Sequence, residues 1–358
     1  MLWMFVGGLI CLVIGAEMLV RGSSRLALSF GISPLVVGLT IVAFGTSSPE
    51  VAVSVAAALD GRSDIAVGNV VGSNIFNVLF ILGVSALITP LIVNAQIIRQ
   101  EVPIMIGSSL LLLALGLDGS LSLFDCLLLL ALLAMYTLFL IVQSRHQSQK
   151  TQDTYSNATG TSRWDAHWSV QLVLIVAGLG LLVFGSDLLV GAATAFAKAV
   201  GISELVISLT IVAAGTSMPE LATSVMAAIR KERDIAIGNV VGSNTFNILG
   251  CLGLTGLAAP TGVALAPSLL SFDIWVMLAV AFACLPVFVT GRQIARWEGL
   301  VFIAYYVAYA AYLILAAQAH DVLPMFSTVM LSFVVPLTVV TIIVIMLRQP
   351  ESDLSSRP

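Results

Sequence analysis

Charge is scarce in this chain, and cysteine and histidine are scarcer still. Only 9% of its 358 residues are charged, whereas 59% are hydrophobic; a soluble globular domain carries charge on about a quarter of its residues. The composition therefore excludes a soluble globular domain and predicts an integral membrane protein. The four cysteines lie within apolar runs, which predicts that they pack as small hydrophobes rather than form disulfides or a thiolate metal site.

Long apolar runs predict eleven membrane-spanning helices, because one crossing needs about 18 or more apolar residues. The first run has no basic residue before it and no small-residue cleavage site after it, so it is interpreted as a span and not as a removable signal peptide. The predicted spans cover residues 2–20, 33–59, 65–89, 101–117, 122–143, 168–190, 203–229, 235–258, 270–290, 297–316 and 324–347.

The distribution of basic residues predicts an N-terminus outside the cell and a C-terminus in the cytoplasm. With this orientation all Lys and Arg residues except Arg62 and Lys198 fall on the cytoplasmic side, where short loops carry an excess of positive charge. A prokaryotic cytoplasmic membrane is the predicted location. The lipid bilayer and transported ions are the only partners that the sequence indicates; it predicts no nucleic-acid or protein partner, no cofactor and no enzymatic activity.

Residues 33–90 and 203–260 are two copies of one segment, aligned without a gap and identical at about three positions in five, far above chance. Each half contains five predicted spans, and an odd number forces the second copy to enter the membrane upside down. The predicted fold is an all-α polytopic membrane protein with two inverted five-helix repeats and an extra C-terminal helix, an architecture typical of secondary transporters. The predicted divisions are residues 1–143, the first repeat; 144–167, a cytoplasmic linker loop; 168–316, the second repeat; and 317–358, the extra helix and tail.

The most similar parts of the two copies are also the most polar. TIVAFGTSSPE matches TIVAAGTSMPE, and DIAVGNVVGSNIFN matches DIAIGNVVGSNTFN. Pro49 and Pro219 cannot donate an amide hydrogen and displace the carbonyl one turn back, so both helices should break there. At membrane depth such backbone is tolerated only in the protein interior or beside a wet cavity, where it becomes a ligand. The carbonyls predicted to be freed belong to Ala43, Gly45, Thr46, Ala213, Gly215 and Thr216.

Glu50 and Glu220 lie about halfway along their spans, where an ionised carboxylate is costly without a cationic partner. No basic residue lies at that depth in any predicted span, so the partner must come from outside the chain, as a metal ion or a proton. The available donors are all oxygen, which favours Ca²⁺, Mg²⁺, Mn²⁺ or Na⁺ over Zn²⁺ or Cu⁺. Besides freed carbonyls, they come from Ser47, Ser217, Ser73, Ser243, Asn77 and Asn247.

The remaining polar residues near these motifs are interpreted as structural. Asn69, Asn74, Asn239 and Asn244 could be ligands, but capping or interhelical hydrogen bonding is the preferred interpretation. Carboxylates at span ends are expected to be interfacial; these are Glu101, Asp125, Asp273 and Glu298. Glu17 and Asp187, near the ends of the first and sixth spans, are interpreted as capping or snorkelling residues, with a gating role as the alternative.

Together the motifs resemble a known family. GTS-x-PE in the second span of each half, followed by GN-x-VGSN-x-FN in the third, is similar to the two alpha-repeats of the sodium/calcium exchanger family within the calcium/cation antiporter superfamily. The resemblance implies that Na⁺ and Ca²⁺ use overlapping sites around the two glutamates. It implies Ca²⁺ ligation by Glu50, Glu220 and the carbonyls of Thr46 and Thr216. It also implies two Na⁺ sites, one in each copy. The first is formed by Ala43, Ser47, Ser73 and Glu50, and the second by Ala213, Ser217, Ser243 and Glu220. Asn77 and Asn247 would lie in the middle.

Two features depart from the family pattern. Some members carry Asp where this chain has Asn247, so that the site here contains only two carboxylates. The apolar segment after His320 predicts an eleventh span beyond the usual ten.

Several functions are compatible with these residues. Exchange of Na⁺ for Ca²⁺ by alternating access is the preferred hypothesis, and exchange of protons for Ca²⁺ or another divalent cation is the alternative. A cation channel could use the same oxygens, but inverted repeats with broken helices favour alternating access. An intramembrane hydrolase is disfavoured because the predicted spans contain no His or Lys to act as a base. A membrane scaffold is disfavoured because it would not need carboxylates halfway along its spans.

Overall fold

The computed structural model describes residues 2–155, 167–200, 213–259 and 262–348, and these are almost entirely helical. Within these ranges nine helices are long and apolar enough to cross a membrane, or ten if one bent pair counts as a single span. The sequence predicts eleven spans. The seventh, residues 203–229, begins outside the described residues, so only its later part can be compared with the structure.

Six helices in the first half follow the predicted order. They are α1 (Leu2–Phe30), α2 (Pro34–Thr46), α3 (Ser48–Leu59), α4 (Ser63–Phe76, continued through the π-helical turn Asn77–Leu82 to Gly83–Ile88), α5 (Val102–Leu115, preceded by the π-helical turn Ile97–Glu101) and α6 (Leu123–Tyr155).

The described part of the second half contains six more helices in a similar order. They are α7 (Trp168–Ala199), α8 (Met218–Ile229, preceded by the helical turn Ala213–Gly215), α9 (Arg233–Phe246, continued through the π-helical turn Asn247–Cys251 to Leu252–Ala258), α10 (Ile274–Val289, preceded by the π-helical turn Leu269–Asp273), α11 (Arg296–Ala317) and α12 (Leu323–Val329, continued through Met330–Val334 to Val335–Arg348).

The helices α1 and α7 are longer than the sequence predicts. Their predicted ends at residues 20 and 190 are too early, because α1 continues to Phe30 and α7 to Ala199. The prediction placed each end where a long apolar stretch gives way to a basic or a small residue, Arg21 in α1 and Gly191 in α7. Beyond it both helices remain partly apolar and bury residues such as Ala27 and Ala197, so tertiary packing keeps the later turns helical.

Glycines bring α1 and α7 into backbone contact. A Cβ atom added to Gly15 would lie 2.8 Å from the carbonyl oxygen of Gly178, and one added to Gly8 would lie 2.8 Å from that of Gly185. Real Cβ atoms do not approach so closely, so these positions admit only a hydrogen. Small residues of this kind allow helices to pack tightly inside a membrane, and α1 and α7 therefore form a closely packed pair.

The most buried helices carry the GNVVGSN motifs. The apolar stretch of α9 is buried along its whole length and that of α4 along most of its length, whereas the described residues of α12 up to Thr341 include no buried position. The extra helix α12 contacts α11 through Thr338, which accepts a hydrogen bond of 2.6 Å from the Tyr305 hydroxyl of α11. Polar motifs thus occupy the centre of the bundle and the extra helix its edge.

Two short strand pairs join the halves. β1 (Leu91–Ile92) pairs antiparallel with β4 (Gln293–Ile294), and β2 (Ser120–Leu121) pairs antiparallel with β3 (Val263–Ala264). In each pair one strand comes from a loop of the first half and the other from a loop of the second half.

Candidate functional site

Both copies of the repeated segment break their helix beside the proline, as predicted. The helix α2 ends at Thr46, α3 begins at Ser48, and the two are bent by 42°. In the second copy two residues separate the turn Ala213–Gly215 from α8. At the breaks Ser47 has φ −80° and ψ 7°, and Ser217 has φ −89° and ψ 10°. The broken backbone places a serine and a glutamate at the start of a new helix in each copy.

The carbonyl oxygens predicted to be freed at the breaks do not all lose their hydrogen bonds. The prediction that the Ala43 carbonyl is freed is wrong, because the N–H of Ser47 donates to it at 3.0 Å. Gly215, four residues before Pro219, lacks its usual helical donor. Its carbonyl instead accepts a hydrogen bond of 2.7 Å from the Ser186 hydroxyl of α7.

The two glutamates are completely buried, and each one is bound by the serine of the other copy. The Ser217 hydroxyl donates to Oε1 of Glu50 at 2.8 Å, and the Ser47 hydroxyl donates to Oε1 of Glu220 at 2.9 Å. The Ser217 hydroxyl also lies 3.1 Å from that of Ser73, which is 3.5 Å from Oε1 of Glu50. The structure therefore brings together residues that are far apart in the sequence.

Several buried oxygens of these motifs have no hydrogen-bond partner in the described part of the chain. They are Oε2 of Glu50, Oε2 of Glu220, Oδ1 of Asn77, Oδ1 of Asn247 and Oγ of Ser243. A buried polar atom without a partner costs about 1–3 kcal/mol, and so many in one region require an explanation. All five can act as hard oxygen ligands, so this set fits a Ca²⁺ or Na⁺ ion.

Asparagines on α4 and α9 brace the helix breaks. Asn69 donates to the backbone oxygen of Glu50 at 3.3 Å, and Asn239 donates to that of Glu220 at 3.4 Å. Their side-chain oxygens lie 3.3 Å from the Thr216 hydroxyl and 3.1 Å from the Thr46 hydroxyl, respectively. The interpretation of Asn69 and Asn239 as interhelical hydrogen-bonding residues is therefore confirmed.

Positive charge within the described residues does not neutralise the glutamates. Neither Glu50 nor Glu220 forms an ion pair with any Lys or Arg there. The same residues contain no group of three or more His, Cys, Asp or Glu side chains placed to hold a metal ion. The donor set is thus two carboxylates with neutral oxygens, which favours hard cations over transition metals.

Glu101, predicted to be interfacial, lies in the first turns of its span with its side chain packed inside the protein. It is completely buried, and its carboxylate accepts hydrogen bonds of 2.7 Å from Tyr136 and 2.9 Å from each of Gln96 and Gln100. Asp273, at the same position of its π-helical turn, is half-buried and accepts a hydrogen bond of 2.8 Å from Tyr309. A tyrosine hydroxyl in an otherwise apolar span was the available signal, since a buried hydroxyl needs a partner.

Cys251 lies closer to the site than the sequence indicates. The thiol is buried as predicted, but its sulfur lies 3.4 Å from the backbone oxygen of Glu50 and is placed to donate to it. The aligned residue of the first copy is Ile81, which has no donor. This contact therefore distinguishes the two copies.

Comparison with known proteins is consistent with these observations. A family model described as sodium/calcium exchanger protein matches residues 1–142 and 170–315. The chain is similar to the sodium/calcium exchanger MaX1 of Methanosarcina acetivorans, with 34% identity over 340 residues, covering 84% of this chain and 95% of that protein. It is also similar to the inner membrane protein YrbG of Escherichia coli, with 36% identity over 284 residues, covering 79% of this chain and 87% of that protein.

Among solved structures, the sodium-calcium exchanger NCX_Mj has the same fold. The TM-score is 0.74 and the sequence identity 31%, and the match covers 87% of this chain and 98% of that one. That protein carries out extracellular ion exchange with induced occlusion of its binding site.

Proposed function

The chain belongs to the sodium/calcium exchanger protein family, and on that premise we propose that it is a secondary-active antiporter that exchanges Na⁺ for Ca²⁺. One observation carries the proposal: each buried glutamate is bound through Oε1 by the serine of the other copy and keeps Oε2 without a hydrogen-bond partner among the described residues. Two carboxylates balance the charge of one Ca²⁺, and the same oxygens are suitable ligands for Na⁺.

The proposed ligands are those that the sequence motifs indicate. Glu50 and Glu220 would contact either ion, and the uncommitted oxygens of Asn77 and Asn247 would complete the centre. The Ala43 carbonyl already accepts one hydrogen bond, so an ion would use its second lone pair. The remaining proposed ligands are Thr46, Thr216, Ser47, Ser217, Ser73, Ser243 and Ala213.

We propose that the chain crosses the membrane eleven times as two inverted repeats and an extra helix, with the N-terminus outside and the C-terminus inside. Strand pairing supports this topology. An even number of proposed spans separates the loop that carries β1 from the loop that carries β4. The same holds for the loops that carry β2 and β3. The two strands of each pair would therefore lie on the same face of the membrane, as their pairing requires. The divisions at 1–143, 144–167, 168–316 and 317–358 follow from it. The prokaryotic cytoplasmic membrane is the proposed location.

Exchange requires that an empty site does not reorient freely. Two ionised glutamates without a cation form a negative centre in a medium of low dielectric constant, which is costly to move. One Ca²⁺, or several Na⁺ ions, would neutralise that centre and allow the site to open to the other side. The paired helices α1 and α7 are the proposed moving element, because they pack on each other through glycine backbones and flank the broken helices.

The choice between Na⁺ and protons as the driving ion can be tested directly. Purified protein in liposomes loaded with Na⁺ and diluted into choline is expected to take up radioactive Ca²⁺. Parallel liposomes carry a pH gradient without Na⁺, and protein-free liposomes measure leakage. Uptake that needs internal Na⁺ supports the proposal. Uptake driven only by the pH gradient would replace it with H⁺/Ca²⁺ exchange, and uptake with neither gradient would indicate a channel.

A further inference from the structure

Four buried asparagines form a network between α4 and α9, beside the glutamates. They are Asn74, Asn77, Asn244 and Asn247, each exposing at most 3% of its surface. A carboxamide donates through nitrogen and accepts through oxygen, and the two ends look alike in shape, so their direction must be derived from the hydrogen-bond partners.

Two backbone carbonyls fix the direction of the first pair of amides. The amide nitrogen of Asn74 lies 3.2 Å from the backbone oxygen of Asn244 and 3.7 Å from the sulfur of Met277. The amide nitrogen of Asn244 lies 3.4 Å from the backbone oxygen of Asn74 and 3.5 Å from the sulfur of Met105. Carbonyl oxygens and thioether sulfurs can only accept, so a nitrogen must face them in both cases.

The direction of the second pair follows from the first. With its nitrogen committed, Asn74 presents Oδ1 to Asn247, whose nitrogen lies 3.1 Å away. In the same way Asn244 presents Oδ1 to the nitrogen of Asn77, 3.0 Å away. The oxygens of Asn77 and Asn247 must then face away from the network, and these are two of the buried oxygens without a partner among the described residues.

We propose that Asn74 and Asn244 are positioning residues that commit the carboxamides of Asn247 and Asn77, respectively, to present oxygen rather than NH₂ to the transported cation. This inference rests on the proposed function. Without the two committing acceptors, each carboxamide could rotate by half a turn and present hydrogen atoms to a cation, which repel it. A network that only held α4 against α9 would not need this polarity.

The proposal predicts which pairs of residues depend on each other. Asn74→Leu removes the acceptor that faces Asn247 and is expected to weaken Ca²⁺ binding by about tenfold, the cost of one lost hydrogen bond at a charged centre. In an Asn247→Ala background there is no amide to orient, so the same change is expected to have less than about a twofold effect on Ca²⁺ binding. In an Asn77→Ala background the full effect should remain.

The mirror cycle pairs Asn244 with Asn77. Asn244→Leu is expected to lose its effect in the Asn77→Ala background and to keep it in the Asn247→Ala background. Binding is measured on purified full-length protein by titrating Ca²⁺ and following the rise in melting temperature, because a ligand stabilises the state that binds it. Thr245→Val is the matched control, since within the described residues its buried hydroxyl bonds only to Val241 on the same helix. The control should lower the ion-free melting temperature without changing Ca²⁺ affinity.

Each outcome decides the question. Equal effects of Asn74→Leu in the two alanine backgrounds, or a lower melting temperature with unchanged Ca²⁺ affinity, would overturn the positioning role while leaving the exchanger proposal intact. If the unaltered protein binds neither Ca²⁺ nor Na⁺, the exchanger proposal fails and this inference fails with it. Should the leucine variant not fold, Asn74→Ser serves in its place. Its hydroxyl can donate or accept, so it is expected to give a smaller loss with the same dependence on Asn247.

Discussion

The serine–glutamate hydrogen bonds match in the two copies of the repeated segment, but the contacts around them do not. The bond from Ser47 to Glu220 matches that from Ser217 to Glu50 within 0.1 Å. Around this centre, however, α7 contacts both helix breaks: Leu179 lies 2.7 Å from where a Cβ of Gly45 would be, and Val190 packs against Gly215. The two serine–glutamate contacts are therefore equivalent, whereas the surrounding helices hold them in one unsymmetrical arrangement.

Charge at the helix ends differs between the copies as well. Arg230, just after α8, forms an ion pair with Glu17 of α1. The aligned residues are Asp60 and Asp187, both acidic, and Asp60 instead pairs with Arg62 of its own loop at 3.2 Å. Asp60 and Asp187 carry like charges and cannot form the corresponding ion pair. We expect this difference to make the two proposed open states unequal in stability.

The largest expected effect comes from removing either carboxylate charge. Glu50→Gln and Glu220→Gln are each expected to reduce Na⁺-dependent Ca²⁺ uptake by about a hundredfold or more, because losing one charge of a buried set costs about 2–5 kcal/mol. The two losses should be equal within a factor of about three if the centre is symmetrical. Asp321→Asn, at an exposed carboxylate, is the control and should leave uptake unchanged. Full activity in either glutamine variant would rule out the site.

Removing either serine should have a smaller effect than removing a carboxylate charge. Ser47→Ala and Ser217→Ala each delete one hydroxyl that donates to the glutamate of the other copy. Each is expected to raise the Ca²⁺ concentration at half-saturation about tenfold. Ser217 also contacts Ser73, so its loss should be the larger of the two. A tenfold weaker Na⁺ response with unchanged Ca²⁺ affinity would show instead that these hydroxyls serve only Na⁺.

Much of the fold and part of the site could be predicted from the sequence. Proline leaves the carbonyl four residues earlier without its helical donor, so a distortion beside Pro49 and Pro219 follows from local chemistry; the full break does not, because Pro286 lies inside the continuous helix α10. A carboxylate at mid-span must find a partner, and this requirement alone distinguishes Glu50 and Glu220 from the other acidic residues. The repeat predicts that these two residues meet, but it does not predict that each serine serves the glutamate of the other copy.

What could not be predicted depends on contacts between distant segments. The Ala43 carbonyl keeps a donor because the chain changes direction only after Ser47, a detail of backbone geometry that proline alone does not determine. Glu101 is buried because Tyr136, on the next helix, supplies a hydroxyl. The length of α1 likewise depends on its packing against α7, which hydropathy along a single segment does not report.

A single hydroxyl tests the unsymmetrical contact of α7. Ser186→Ala removes the bond to the Gly215 carbonyl and is expected to destabilise the present arrangement by about 1 kcal/mol, changing the ratio of Ca²⁺ half-saturation at the two membrane faces by about fivefold. The aligned residue of α1 is Ala16. The double variant Ser186→Ala/Ala16→Ser moves the hydroxyl to the other copy and should shift this ratio further in the same direction. An unchanged ratio in both variants would show that this hydrogen bond does not influence the membrane face to which the site opens.

The smallest expected effect belongs to the ion pair between Glu17 and Arg230, because both side chains are partly exposed, by 28% and 49%. Such pairs contribute about 0–1 kcal/mol, so Glu17→Gln should change the same ratio by no more than about fivefold, and less at high salt. The exchanged pair Glu17→Arg/Arg230→Glu should restore the original ratio. Asp60→Asn, at the aligned position of the first copy, is expected to have no effect. If Asp60→Asn changes the ratio as much as Glu17→Gln does, the ion pair between Glu17 and Arg230 does not distinguish the two ends of the molecule. Any difference in Ca²⁺ half-saturation between the two membrane faces must then come from the contacts of α7.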